Sequence, residues 1–312
     1  MEISEVTHEK FGNIISNPFY IYGNADFNYL NKHKCESLHY LLFKENKYRL
    51  GIVGGTRGGA FLSAFSAPFG GFIHLRGDIK ISYLENAIDL LVKWAKSKNL
   101  KAINLILPPP VYDENFISKQ INCLFHKDFY ILKIELNHIF LTRKFDDNYK
   151  NTLWRNGRNN LNKALKKHLD FHLCENLLEK RIAYQVIKLN KQTKQLPLTM
   201  SWEEILMYTA IINTDFFIAY NAKNFPIGAA IVFQVSQSVV QIAYWGDNLK
   251  YSHLRTMNYL AHKIFEYYHD DFKIIDLGPS SENCTPNVGL CNFKESIGCD
   301  ITTKFSFIRS LT

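Results

Sequence analysis

Apolar and polar positions along this chain follow one plan twice. Residues 38–43, 48–53 and 59–65 form short apolar runs separated by Lys44-Glu45-Asn46-Lys47 and Gly54-Gly55-Thr56-Arg57. Residues 216–220, 227–235 and 239–245 repeat the arrangement around Asn221-Ala222-Lys223-Asn224 and Ser236-Gln237-Ser238. Runs of that length, bounded by turn residues, predict strands. Each triplet is followed by a loop, an amphipathic segment and one more apolar run, 102–107 in the first copy and 273–277 in the second. Such a repeat predicts two α/β domains with mixed (α+β) sheets, built to one topology.

Helix signals fill in the plan. Ser82 and Glu85 form an S-x-x-E capping box ahead of Leu84, Ile88, Leu91 and Ala95, which recur at helical spacing up to about Asn99. The run 102–107 stops at Pro108-Pro109-Pro110, which cannot continue a ladder. A short helix over 114–124 and a strand over 130–136 complete the first copy. Residues 148–167 predict one basic connecting helix with Leu153, Leu161, Ala164 and Leu165 on its buried face. The second copy predicts a strand near Phe171, a helix over 177–191, another capping box at Ser201 and Glu204, and a helix capped by Ser252 with Leu254, Met257, Ala261, Ile264 and Tyr268 inward. The expected organisation is a first domain over 1–142, the basic helix over 143–168, and a second domain over 169–312 that carries the active site.

Composition narrows this little. A chain of 312 residues with 46% hydrophobic content supports two cores. No apolar run approaches the roughly 18 residues of a membrane span, and the first 24 residues lack a signal-peptide pattern, so the expected location is cytoplasmic. The six cysteines form no C-x-x-C pair, and the spacing of Cys284, Cys291 and Cys299 with His262 or His269 matches no usual zinc pattern, so reduced thiols and no metal are expected. The net charge of +8 fits an anionic partner. Eight of the basic residues (Arg143, Lys144, Lys150, Arg155, Arg158, Lys163, Lys166, Lys167) fall in the connecting segment, where a solvated helix face is the alternative.

Candidate chemistry concentrates at the end of the second copy. Asp276-Leu277-Gly278-Pro279-Ser280-Ser281-Glu282-Asn283 directly follows a buried strand, so its polar groups emerge at the carboxyl edge of the sheet, where open α/β folds place ligands. Asp276 capping a neighbouring backbone is the structural alternative. Residues 287–296 predict a short helix closed by Gly298, with Phe293 and Lys294 adjacent. No G-x-S-x-G elbow, Walker A loop or H-E-x-x-H is present, and the Gly54 to Gly59 piece reads as a tight hairpin turn.

The order Asp276-Leu277-Gly278, Gly289-Leu290, Asn292-Phe293-Lys294 and Gly298 resembles the closing motif of the Fem family, tandem-domain transferases that build peptidoglycan cross-bridges. Ser66-Ala67-Pro68-Phe69-Gly70-Gly71 sits where that family carries a Pro-Gly loop. Arg155-Asn156-Gly157-Arg158-Asn159-Asn160-Leu161-Asn162-Lys163-Ala164 resembles its Arg-rich helix. The resemblance implies two domains of the GNAT (N-acetyltransferase-like) fold. It also implies transfer of an acyl or aminoacyl group from acyl-CoA, another acyl thioester or aminoacyl-tRNA to an amine on a small-molecule or glycan-precursor acceptor of cell-wall or polysaccharide synthesis. Members of the family that use aminoacyl-tRNA as donor often insert a long helical coiled-coil arm in the second domain, for which this chain has no room, and residues 245–255 hold a single glycine where GNAT enzymes carry a phosphate-binding loop.

On this reading Lys294 is the functional cation, expected to be exposed at the mouth of the second domain so that its loss spares the fold. Asp276 or Glu282 takes the proton of the attacking amine. Phe293 packs on donor or core; Tyr244, Trp245 and Ser280 contact carrier or acceptor; Arg155, Arg158 and Lys163 face an anionic carrier. The competing reading is a non-catalytic tandem module that binds a nucleotide sugar, a glycan precursor or RNA.

Overall fold

The computed structural model describes residues 1–311. Its first half runs β1 (Glu2–Val6), α1 (His8–Ile14), α2 (Ala25–Leu30), β2 (Ser37–Lys44), β3 (Tyr48–Arg57), β4 (Ala60–Ser63), β5 (Ile73–His74), α3 (Ile81–Ser97), β6 (Ala102–Ile106), α4 (Glu114–His126) and β7 (Tyr130–Leu141). The second half runs α5 (Tyr149–Thr152), α6 (Arg155–Leu165), β8 (Asp170–Leu173), α7 (Leu177–Thr193), α8 (Trp202–Thr209), β9 (Thr214–Tyr220), β10 (Pro226–Gln234), β11 (Val239–Asp247), α9 (Thr256–Tyr268) and β12 (Ile274–Pro279). A short hairpin of β13 (Ser281–Glu282) and β14 (Thr285–Pro286), then α10 (Val288–Ser296) and β15 (Asp300–Ser310), close the chain.

Two compact units share one strand order. Unit 1 holds Met1–Leu136, Asn283–Thr285 and the part of β15 from Thr302; its sheet runs β1-β2-β3-β4-β6-β15. Unit 2 holds Asn137–Glu282 and Pro286–Ile301, with the order β8-β9-β10-β11-β12-β7. In each, the first three neighbouring pairs are antiparallel, the fourth is parallel and the last is antiparallel. The strand that completes each sheet comes from the other half of the sequence: β15 follows the second copy and pairs with β6, while β7 follows the first copy and pairs from Asn137 onward with β12.

Local departures from the sequence pattern have tertiary causes. The capping box at Ser201 and Glu204 forms in full. The one at Ser82 and Glu85 does not: α3 begins at Ile81, and Glu85 instead pairs with His126 of α4 at 2.7 Å. β3 runs through Gly54 and Gly55, where the rings of Phe61 and Phe65 lie in the place of side chains, to Arg57, and the reversal falls at Gly58-Gly59, both in the positive-φ region. The basic segment is two helices, broken where Leu153 takes an extended conformation and enters the core of unit 2. Ser252 caps nothing; it lies in a short 3-10 turn, and α9 begins at Thr256 after Arg255 in the left-handed region.

The parallel pairs differ between the two units. In unit 1, β4 and β6 pair from Ala60↔Ala102 to Ser63↔Leu105, and the returning chain occupies the space beyond. Gly70 N–H donates to the Ile106 carbonyl (2.7 Å), Gly71 N–H to Ser63 Oγ (3.0 Å), and Tyr20 OH to the Gly70 carbonyl (2.7 Å). In unit 2, β11 and β12 pair only from Val239↔Ile274 to Gln241↔Asp276. β11 then continues against β10 and β12 against β7, so the two strands part and leave a wedge. Beneath it lies a core that includes Phe140 stacked on Phe265 at 3.9 Å.

Unit 1 carries one charged network that tests its packing. Burial alone raises the pKa of Glu5, but hydrogen bonds from His39 (2.6 Å), Lys98 (2.9 Å) and Trp94 (3.2 Å) outweigh that and hold the carboxyl at about 2. A carboxyl depressed in the folded state stabilises above its ordinary pKa of 4.5, and the contribution fades as pH falls toward 2. The melting-temperature gap between wild type and Glu5→Gln is therefore expected to be widest above pH 4.5 and to shrink toward pH 2. A gap constant across that range would show that the network contributes nothing.

Candidate active site

The wedge of unit 2 is shaped by a bulge in β12. Successive strand carbonyls point to opposite sides, so three in a row can meet one donor only where the backbone turns. Here the register with β7 shifts between Asp276 and Gly278, and Gly278 has φ +76°. A side chain at 278 would be strained in that conformation, which is the reason for glycine. The carbonyls of Leu277, Gly278 and Pro279 consequently converge on the Lys294 ammonium at 2.8, 2.9 and 3.1 Å.

Lys294 is therefore not the exposed lysine expected from sequence. It is 2% exposed, and its three N–H donors are matched by three acceptors. Burial pulls its pKa down to about 8, partly offset by the charge of Asp276. Asp276 is itself 1% exposed: Oδ1 accepts from Asn137 Nδ2 (2.7 Å) and from the Gly278 N–H (2.7 Å), and Oδ2 accepts from Gln241 Nε2 (3.0 Å). The carboxylate thus braces the bulge, the capping role that the sequence left open.

Around this bracket stand Ser280, already named from the sequence, and groups that sequence reasoning passed over. His138, opposite Gly278 on β7, is fully buried with neither ring nitrogen hydrogen-bonded, and Nε2 lies 3.8 Å from Glu295 Oε1. Burial and then the Lys294 charge lower its pKa to about 4, so the imidazole is neutral. Ser280 Oγ is buried and unpartnered. Lys191 on α7 is half-buried and lies within electrostatic reach of Lys294; among the described residues its ammonium has no hydrogen-bond or ion-pair partner. Burial, then Lys194, lowers its pKa. Farther along, beyond the stretch paired with β12, Asp247 ends β11; it is 7% exposed, and burial raises its pKa against the charge of Lys194 and the Asn190 hydrogen bond. Only tertiary placement distinguishes these residues from ordinary helix and strand positions.

The other expected residues are distributed as follows. Trp245 packs near Phe293 (ring centroids 6.0 Å apart), linking β11 to α10. Tyr244 OH bonds Thr199 Oγ1 at 2.5 Å, just ahead of α8. Glu282 is exposed on the β13–β14 hairpin. Arg155 and Lys163 are exposed and Arg158 is half-buried on α6, which lies directly against α10 through Gly157 and Ser296.

Cofactor fit is uneven. In the loop after β11, the amides of Lys250, Tyr251 and Arg255 donate to Asn248 Oδ1, the Asn248 carbonyl and the Ser252 carbonyl. Amides turned onto their own loop make a poor cradle for a diphosphate. Among the described residues no group of three or more His, Cys, Asp or Glu is placed to hold a metal ion.

The sequence matches no protein-family model and no curated protein. Solved structures do match. A crystal structure of FemX superposes with TM-score 0.71 at 12% identity, over 99% of this chain and 97% of that one. The C-terminal domain of a proposed lysylphosphatidylglycerol synthetase from Agrobacterium fabrum gives 0.62 at 11%, over 96% and 90%. A tandem GNAT protein from the clavulanic acid biosynthesis pathway gives 0.52 at 8%, over 100% and 98%. The fold is therefore the Fem-like tandem GNAT fold.

The packing beneath Lys294 is open to a direct test. A methyl group on Gly157 would overlap the Ser296 carbonyl at the end of α10. Glycine to alanine in a helix interior ordinarily gains about 1 kcal/mol. Overpacking against backbone costs about 1–3 kcal/mol, so Gly157→Ala is expected to lower stability in urea unfolding. A variant as stable as wild type would mean that α6 and α10 do not depend on this approach.

Proposed function

We propose that unit 2 catalyses transfer of an acyl or aminoacyl group from an activated carrier to an amine, and that the acceptor is a precursor of the cell wall or a polysaccharide. The observation that carries this reading is the wedge between β11 and β12, with the Lys294 ammonium held on one wall and the Lys191 ammonium unspent nearby. The amine nitrogen attacks the ester or thioester carbonyl, the new C–N bond forms, the C–O or C–S bond breaks, and the carrier leaves as alcohol or thiol after taking a proton. Negative charge builds on the carbonyl oxygen and the leaving atom, and fixed cations lower that barrier. Lys294 supplies a rigid positive centre, and Lys191 has N–H groups left to donate. Asp247, whose proton affinity burial has raised, is our candidate for receiving the amine proton.

The inward-turned loop amides favour an aminoacyl ester carried on RNA over acyl-CoA. The basic face of α6, packed on the helix that bears Lys294, supplies Arg155, Arg158 and Lys163 for its phosphates. One observation favours the second reading, a binding module without catalysis: all three Lys294 donors are already used by the fold.

Assay of transfer to an amine acceptor, with aminoacyl-tRNA and acyl-CoA supplied separately, decides between them. Lys294→Ala is expected to lower kcat/KM by about 10²–10³, and also to lower the melting temperature, because three carbonyls lose their donor. The fall in rate with alkaline pH should centre near pH 8 in wild type, where Lys294 loses its proton. It should be absent in Lys294→Arg, since a guanidinium does not titrate there. Transfer by the alanine variant at the wild-type rate would remove Lys294 from catalysis, and absence of transfer from either carrier by the wild type would leave the binding module.

RNA binding has its own test. Replacing Arg155, Arg158 and Lys163 together by Gln is expected to weaken binding and to reduce the slope of log K against log salt by about 0.7–0.9 for each phosphate that is no longer neutralised. An unchanged slope would return α6 to a solvated face.

A further inference from the structure

In unit 2, α7 and the start of α8 line an open surface cavity of about 220 Å³. Arg181, Gln185 and Lys188, at i, i+4 and i+7, present one helix face to it. Ser201, Trp202 and Glu203 come from α8 and its cap, and the buried Tyr184 closes the interior beside Trp202, ring centroids 5.6 Å apart. The walls are fixed from behind: Tyr184 OH donates to the Met200 carbonyl (3.2 Å), and the Ser201–Glu204 capping box pins the first turn of α8.

Two cations and one anion line this cavity, yet they do not pair. Among the described residues neither Arg181 nor Lys188 forms an ion pair, and Glu203 forms none with either. The cavity thus presents both signs of charge, unpaired with each other, beside the Trp202 ring. A purely anionic ligand would set Glu203 against it, and a purely cationic one would meet Arg181 and Lys188. A ligand with a carboxylate at one end, an ammonium at the other and an apolar side satisfies all three at once. About 220 Å³ suits a single amino-acid residue and is small beside the roughly 300–1,000 Å³ of ordinary small-molecule pockets.

We propose that the α7–α8 cavity binds a zwitterionic α-amino acid or the end of a short peptide, with its carboxylate on Arg181 and Lys188, its ammonium on Glu203 and its side chain against Trp202. Residues 199–201 join this site to the wedge, since Thr199 bonds Tyr244 of β11 while Ser201 lines the cavity. An amine-bearing carboxylate held there is the class of molecule that an amide-forming enzyme consumes. Binding does not require transfer, so the two readings fail separately.

The test is calorimetric titration of the full-length chain with the free L-amino acids, their N-acetyl derivatives and their carboxamides. At least one zwitterion is expected to bind, and its N-acetyl and carboxamide forms at least tenfold more weakly. Glu203→Gln should abolish the discrimination against the N-acetyl form. Arg181→Gln and Lys188→Gln should abolish that against the carboxamide. All three positions are exposed, and an unchanged melting temperature would confirm that folding is intact. Absence of binding by every zwitterion, equal binding of the blocked forms to wild type, or discrimination that survives all three substitutions would each overturn the proposal. Inorganic phosphate, tried in parallel, should not compete; competition would make the cavity an anion site.

Discussion

Three backbone carbonyls focused on one buried ammonium hold β12 and α10 of unit 2 together. Without Lys294, the carbonyls of Leu277, Gly278 and Pro279 would lose their shared donor, and each acceptor left buried and unsatisfied costs about 1–3 kcal/mol. Without the kink at Gly278, those carbonyls would not face the same way. Without Asp276 accepting the Gly278 N–H and offsetting the nearby positive charge, neither the kink nor the buried lysine would be as well supported. Helix α10, strand β12 and the far edge of the wedge are fixed relative to one another by that arrangement.

The two units show how one topology supports different outcomes. Both place a parallel pair at the same point in the strand order, the place where a sheet of this kind can open. Unit 1 closes its opening with its own backbone, using Gly70, Gly71 and the hydroxyls of Ser63 and Tyr20. Unit 2 instead lets its strands part, with polar side chains behind the gap. The segment 64–72 is thus the counterpart of an open site, and the Pro-Gly loop noted in the sequence has a packing explanation within unit 1.

Periodicity carried the strands, the long helices and the repeat, because burial of alternating or helical stripes is a local property that sequence records directly. Positions governed by contacts far along the chain were not legible. Glu85 could not be known to prefer His126 to its own cap, nor Leu153 to break a helix by entering the core. Lys294 resembled a surface lysine because nothing near it in sequence announces a carbonyl cage. Adjacent helix positions diverge, so Phe293 can face Trp245 while Lys294 turns to β12. Asp276 was recognisable as important, with its two roles undecided, and the hydrogen bonds favour bracing. Lys191, Asp247 and His138 carried no pattern at all, since their significance is an accident of neighbours rather than of spacing.

The exchange of closing strands sets a timetable for biosynthesis. A ribosome that has made the first copy has delivered β6 with one edge bare, while its partner β15 follows only after the whole of the second copy. At about 5–20 residues per second, that edge waits for a matter of seconds to tens of seconds, and bare edges recruit whatever strand is at hand. The nearest candidate is β7, which is apolar, newly synthesised and destined for β12. Emergence of the second copy brings β12 to pair with β7 and, last, β15 to cover β6. Maturation of the amino-terminal half is therefore gated by translation of the carboxyl-terminal half, and a stalled or shortened nascent chain presents an unfinished sheet to chaperones and proteases.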